Sequence, residues 1–186
     1  MNIFKDVSYI DKSKVILKHK IPTELFKEIK LFVNKANKKR KSKYAFLLNH
    51  LNSGKNDYQI SVDTDVFEKS FMLGYLIKLG EHYRNLKPEE RRIRIRRITN
   101  HFDHYDFWIN FTEKNSINRE HAHPGTLSGV IYYTDCYGYP TKFNNGTNYF
   151  GKSKDLLLFP SSLAHQVKKY KDNKTRITLS FNLELL

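Results

Sequence analysis

A single cysteine, Cys136, stands among 186 residues. It has no partner for an internal disulfide, which excludes the small secreted class stapled by bridges and favours a reducing compartment, the cytoplasm. Long apolar runs are missing too. The best, Phe71 to Ile77 and Leu156 to Phe159, have the length of core segments, well short of the roughly 18 residues of a membrane span. The opening stretch MNIFKDVSYIDKSK sets charges among its apolar positions and lacks the continuous apolar segment of an export signal. Acidic residues are scarce, 19 Asp and Glu against 33 Lys and Arg, which leaves a formal charge of +14. With five prolines and eight glycines, the chain carries no Pro-rich or Gly-rich linker, low-complexity tract or internal repeat.

What is present points to a folded protein. With 39% hydrophobic and 14% aromatic residues, the chain is too apolar to be disordered despite its charge. Its length suits one domain over 1–186, large enough to bury its own core. The charge is uneven: residues 1–100 hold 23 Lys and Arg against 11 Asp and Glu, and residues 101–186 hold 10 against 8. Two clusters carry the excess, Lys35, Lys38, Lys39, Arg40, Lys41 and Lys43, then Arg91, Arg92, Arg94, Arg96 and Arg97. Such clusters either bind phosphates, which makes nucleic acid a candidate partner, or form a solvated face. The alternation in RRIRIRR also fits a half-exposed strand.

Periodicity changes near residue 100. After Pro22, the spacing of Leu25, Phe26, Ile29, Phe32 and Val33 predicts a helix. After Asp63 and Asp65, the positions of Val66, Phe67, Phe71, Met72, Tyr75, Leu76 and Leu79 predict a second, ending near Gly80 or at Asn85 to Pro88. The second half reads as short strands at 105–112, 128–134, 141–143, 148–150, 155–159, 164–168 and 175–185, separated by turn residues such as Asn145 and Gly146. The expected fold is α+β: a double-sheet jelly roll over 101–186, packed against a mainly helical, basic support over 1–100.

Three histidines lie in suggestive places, His121 and His123 in REHAHPG and His165 in FPSSLAHQV. On an extended segment residues i and i+2 project to one side, so His121 and His123 can reach one ion, and His165 would complete a three-residue face. Imidazole suits Fe, Zn, Cu or Ni, and three facial ligands leave open positions for substrate and oxygen.

From Trp108 to Asn182 the chain reads WINF, REHAHPGTLSGVIYYTD, LLLFPSSLAHQV and TRITLSFN. This order and spacing resemble the iron(II)- and 2-oxoglutarate-dependent oxygenases, particularly a group of bacterial and bacteriophage members, and also the prolyl hydroxylase branch. The resemblance covers roughly the last 80 residues. It implies a double-stranded β-helix holding Fe(II), with 2-oxoglutarate and O2 as cosubstrates, succinate and CO2 as products, and ascorbate as an optional reductant. The substrate would be a protein residue such as proline, an amino acid or a small metabolite, hydroxylated at a C–H bond.

The resemblance also assigns residues. His121 would be the first ligand and His165 the distal one, while His123 stands where the wider superfamily has a carboxylate. Either all three bind the metal, or His123 binds with His121 beside it. Arg176, 11 residues after His165, would grip the distal carboxylate of 2-oxoglutarate, for which a planar, permanently charged fork is suited. Thr178, two residues on, would donate to the same carboxylate, and Tyr133 of the IYY run would add an aromatic hydroxyl. Asn110 and Asn118 fall close to the implied site.

A literal HxD at His101 and Asp103, followed by His104, competes as the ligand motif. Strand order disfavours it: from His121 the runs at 128, 141, 148 and 155 supply the four strands a jelly roll needs before His165, and the run from Tyr105 supplies the one before. Two other readings remain open. One is a basic nucleic-acid-binding module on a jelly-roll scaffold, and the other a metal enzyme that uses the histidines without 2-oxoglutarate.

Overall fold

Pro22 and Glu24 favour a helix start, the first through its fixed φ and the second by placing an acid near the positive end of the helix dipole. A helix does begin here in the computed structural model, which describes residues 4, 6–40, 57–62, 64–87, 92–98, 104–136 and 138–186. In chain order the elements are β1 (Ser8–Tyr9), β2 (Leu17–Lys20), α1 (Thr23–Arg40), β3 (Asp57–Ser61), α2 (Thr64–Glu68), α3 (Phe71–Tyr83), β4 (Ile93–Ile95), β5 (Arg97–Ile98), β6 (His104–Tyr105), β7 (Phe107–Thr112), β8 (Asn118–His121), β9 (Leu127–Tyr132), β10 (Thr141–Phe143), β11 (Asn148–Tyr149), β12 (Asp155–Pro160), β13 (His165–Val167) and β14 (Arg176–Leu185).

The long sheet runs β1-β2-β12-β9-β14-β7-β3, and a smaller one runs β11-β10-β13-β8. All pairings among the described residues are antiparallel. β14 is long enough to take two neighbours along one edge: Arg176 to Phe181 pair with β7, and Leu183 to Leu185 pair with β4. This is the jelly roll expected from the sequence. The first 100 residues, expected to be mainly helical, also give β1, β2, β3 and β4 to the large sheet, with β4 formed by the alternating RRIRIRR stretch.

Two cores result. Helix residues Phe26, Ile29, Phe32, Phe67, Leu76 and Leu79 cover one face of the large sheet, against Ile109, Ile131, Leu158, Leu179 and Phe181. Between the two sheets lie Ile16, Tyr132, Cys136, Phe143, Leu157 and Phe159. Each fully buried Phe or Leu adds about 1.5–3 kcal/mol, so the helices are held chiefly by this burial. The large sheet is therefore covered on both faces.

The second predicted helix is two. It breaks at Lys69 and Ser70, where Ser70 is extended and its hydroxyl donates to the Phe67 carbonyl at 2.6 Å. The first N–H groups of α3 are satisfied from α1: the Glu28 carboxylate accepts from Phe71 and Met72 at 3.2 and 3.1 Å. A carboxylate at a helix N-terminus satisfies orphan donors and complements the dipole.

Three arginines of the two basic clusters are engaged by acids. Arg40 pairs with Glu113, Arg94 with Glu184 at 2.7 Å, and Arg96 with Asp106 at 3.1 Å. Lys35, Lys38 and Arg92 are exposed. Lys41, Lys43, Arg91 and the competing His101 to Asp103 motif lie outside the described residues.

Candidate metal and carboxylate site

Antiparallel pairing of β13 with β8 sets His165 directly opposite His121, and a register irregularity follows before Val167 meets Asn118. Such bulges re-aim side chains. His123 follows β8 on a loop that is fastened at several points. Its N–H donates to the Ser161 carbonyl at 3.0 Å, the Ser161 N–H to Thr126 at 3.1 Å, and the Thr126 N–H to Leu183 at 2.8 Å. Gly125 in this loop has φ +102, and a Cβ there would sit 2.9 Å from the Leu183 carbonyl oxygen. Only glycine passes so close in that conformation.

The three imidazoles converge. Ring centroids lie 4.8 Å apart for His121 and His123, 4.5 Å for His121 and His165, and 5.2 Å for His123 and His165. One nitrogen from each falls within 4.8 Å of the others, and the group contains no carboxylate. Metal–nitrogen bonds are about 2.0–2.1 Å, so a modest closing of the rings brings all three onto one ion. Two rings are oriented from behind: Nδ1 of His121 lies 2.8 Å from the Arg119 carbonyl, and Nδ1 of His165 lies 3.2 Å from that of Leu163. A carbonyl partner fixes the proton on Nδ1 and turns the Nε2 lone pair inward, as metal-ligating histidines require.

Electrostatics agree. Burial, then the neighbouring His165 and His121, lowers the pKa of His123 to about 3. Burial, then His121, lowers His165 to about 4, and burial lowers His121 as well. All three are thus neutral donors at pH 7.

Arg176, at the start of β14, is 5% exposed. Its Nε donates to Cys136 Sγ at 3.1 Å, one terminal nitrogen donates to Thr141 Oγ1 at 3.4 Å, and its guanidinium lies 5.7 Å from the Tyr132 ring centre. No carboxylate among the described residues pairs with it. A buried, uncompensated guanidinium is costly unless an anion joins it.

Thr178 is buried on the same face of β14, opposite Tyr132 and Asn110, and its hydroxyl accepts from Asn110 Nδ2 at 3.4 Å. Asn110 also donates to Ser180 at 2.9 Å and accepts from Trp108 Nε1 at 3.0 Å, while the Trp108 ring lies 5.7 Å from that of His123. A polar chain thus runs between the histidines and the Arg176 strand. Asn118 lies on β8 with its buried Oδ1 unbonded.

Tyr133 is not brought to this site. It packs on the helix-covered face, stacked on Phe26 with centroids 5.6 Å apart. Its neighbour Tyr132 is the tyrosine between the sheets, with its hydroxyl 2.7 Å from Thr141 Oγ1. The sequence reading missed Tyr132, Cys136 and Thr141. Strand parity was the only available signal, and a strand covered on both faces has little alternation to read.

A family model described as "Putative 2OG-Fe(II) oxygenase" matches residues 135–182. No curated protein matches the chain. Among solved structures, a prolyl-4-hydroxylase from Pseudomonas putida is similar at TM-score 0.57 and 12% identity, over 92% of this chain and 92% of that one. HygX from Streptomyces hygroscopicus, solved with nickel and 2-oxoglutarate bound, is similar at TM-score 0.58 and 10% identity, over 91% and 82%. SnoN, an alpha ketoglutarate dependent epimerase from nogalamycin biosynthesis, is similar at TM-score 0.59 and 11% identity, over 91% and 76%. The chain therefore has the jelly-roll fold of the iron(II)- and 2-oxoglutarate-dependent oxygenases and carries that family's sequence pattern over residues 135–182.

Proposed function

We propose that the protein is an Fe(II)- and 2-oxoglutarate-dependent dioxygenase that hydroxylates a C–H bond of a protein residue, amino acid or small metabolite. The observation that carries this reading is the convergence of three neutral imidazoles in one barrel with a buried guanidinium that has no carboxylate partner among the described residues. When bound, iron and 2-oxoglutarate would supply the oxidising chemistry, with succinate and CO2 as products.

The chain's own residues do the positioning. His121, His123 and His165 would hold the ion, and because all three are uncharged its full positive charge remains to attract an anionic chelate. Arg176 would receive the far carboxylate, with Thr178 on the next inward position of the same strand; Tyr132, rather than Tyr133, would be the phenol to support it. Trp108 and the apolar Phe143 and Phe159, whose rings lie 5.8 and 5.1 Å from that of His165, shield the histidines from water.

The reaction itself is a proposal, since one fold serves several chemistries and its relatives include an epimerase as well as a hydroxylase. Ascorbate would serve only to restore Fe(II). The exposed Lys35, Lys38 and Arg92 would favour an acidic partner, and a nucleic-acid substrate would show itself by binding that weakens steeply with salt. The direct test is release of succinate from 2-oxoglutarate by iron-loaded protein under oxygen. Wild type should release it even without substrate, slowly, and His165→Ala should not; equal release by both would refute the reading.

A further inference from the structure

The Nε of Arg176 is met by a thiol. Cys136 is 1% exposed, and its N–H donates to the Gly151 carbonyl at 2.9 Å. Its Sγ lies 3.6 Å from the Thr134 carbonyl oxygen and 3.1 Å from Arg176 Nε. The two contacts have opposite sense: the S–H points to the carbonyl, and the sulfur lone pair accepts from the guanidinium. Burial pushes the thiol pKa up, so the group stays uncharged.

A carboxylate at this position would satisfy the same N–H but would also cancel the charge that an anionic ligand must find. An apolar residue would preserve the charge but leave a buried N–H without an acceptor. Sulfur satisfies the donor and leaves the charge intact. Together with the 3.4 Å contact to Thr141, it leaves the other terminal nitrogen of the fork uncommitted among the described residues.

We propose that Cys136 is a positioning residue for Arg176: it holds Nε from behind as a neutral acceptor, aiming the guanidinium's free edge into the barrel while keeping its positive charge available to a dicarboxylate. The proposal rests on the reading that Arg176 anchors 2-oxoglutarate.

The test is calorimetric titration of 2-oxoglutarate into Ni(II)-loaded protein, with Ni(II) affinity and circular dichroism of each variant as controls. Cys136→Ser keeps a neutral acceptor and should bind within about threefold of wild type. Cys136→Ala should weaken binding about tenfold, the usual order for a hydrogen bond to a charged group. Cys136→Asp should weaken it by about a hundredfold or more through charge cancellation, with Ni(II) affinity unchanged in all three. Wild-type affinity in both the Ala and Asp variants would overturn the proposal; if Asp prevents folding, equal affinity of the Ala and Ser variants overturns it alone. Arg176→Met separates the two claims. If it too binds like wild type, the anchor assignment fails; if it alone loses binding, only the role of Cys136 fails.

Discussion

His165 stands directly across the β13 and β8 ladder from His121, with ring centroids 4.5 Å apart. Strand pairing therefore preforms two-thirds of the proposed site, and the loop after β8 brings in His123. Replacing any one of the three with Ala should weaken Ni(II) or Fe(II) binding by more than about a hundredfold, because loss of a mere outer partner typically costs 10–100-fold. Trp108 is the chain's one tryptophan and lies beside His123, so quenching of its fluorescence on metal addition reads this out. Undiminished quenching in His123→Ala would mean that only the β-paired histidines bind.

The apo protein should lose stability as the solution is acidified. His123 and His165 have folded pKa values near 3 and 4, below the ordinary 6.5, so between these limits the unfolded chain binds more protons than the folded one. Stability due to these groups is complete above about pH 6.5 and is lost as pH falls toward 3 to 4, at about 1.4 kcal/mol per pH unit for each proton taken up only on unfolding. Melting temperature measured from pH 7 to pH 4 should fall more steeply for wild type than for His123→Gln.

Gly151 is buried against Tyr132, where a Cβ would fall 2.2 Å from the ring. Gly151→Ala must displace that ring and with it the Thr141 and Arg176 contacts. It should cost about 1–3 kcal/mol in denaturant unfolding, the usual range for overpacking, and weaken 2-oxoglutarate binding. An unchanged midpoint would show that the ring moves freely.

Most jelly-roll strands were legible because turn residues separate short apolar runs, and the histidine spacing because an extended segment sends i and i+2 the same way; β8, polar and half-exposed, is not among the predicted runs and is a strand through its pairing with β13. What escaped depends on distant partners. The break between α2 and α3 is satisfied by Glu28, more than 40 residues away, and β2 and β3 are strands only because the large sheet offers them edges. Tyr132 and Tyr133 could not be told apart by pattern, since helices cover one face of β9 and the second sheet covers the other. Cys136 read as a lone thiol because its partner lies 40 residues on.

The central claim is that the histidine cluster and Arg176 together take up a metal and a keto dicarboxylic acid. It is tested most directly by titrating 2-oxoglutarate into four samples: Ni(II)-loaded wild type, metal-free wild type, Ni(II)-treated His165→Ala and Ni(II)-loaded Arg176→Met. The account predicts tight 1:1 binding in the first, and in the other three binding weakened by about a hundredfold or more, as the loss of a metal chelate or of charge-assisted hydrogen bonds requires. Equal binding in all four, or none in the first, would contradict it.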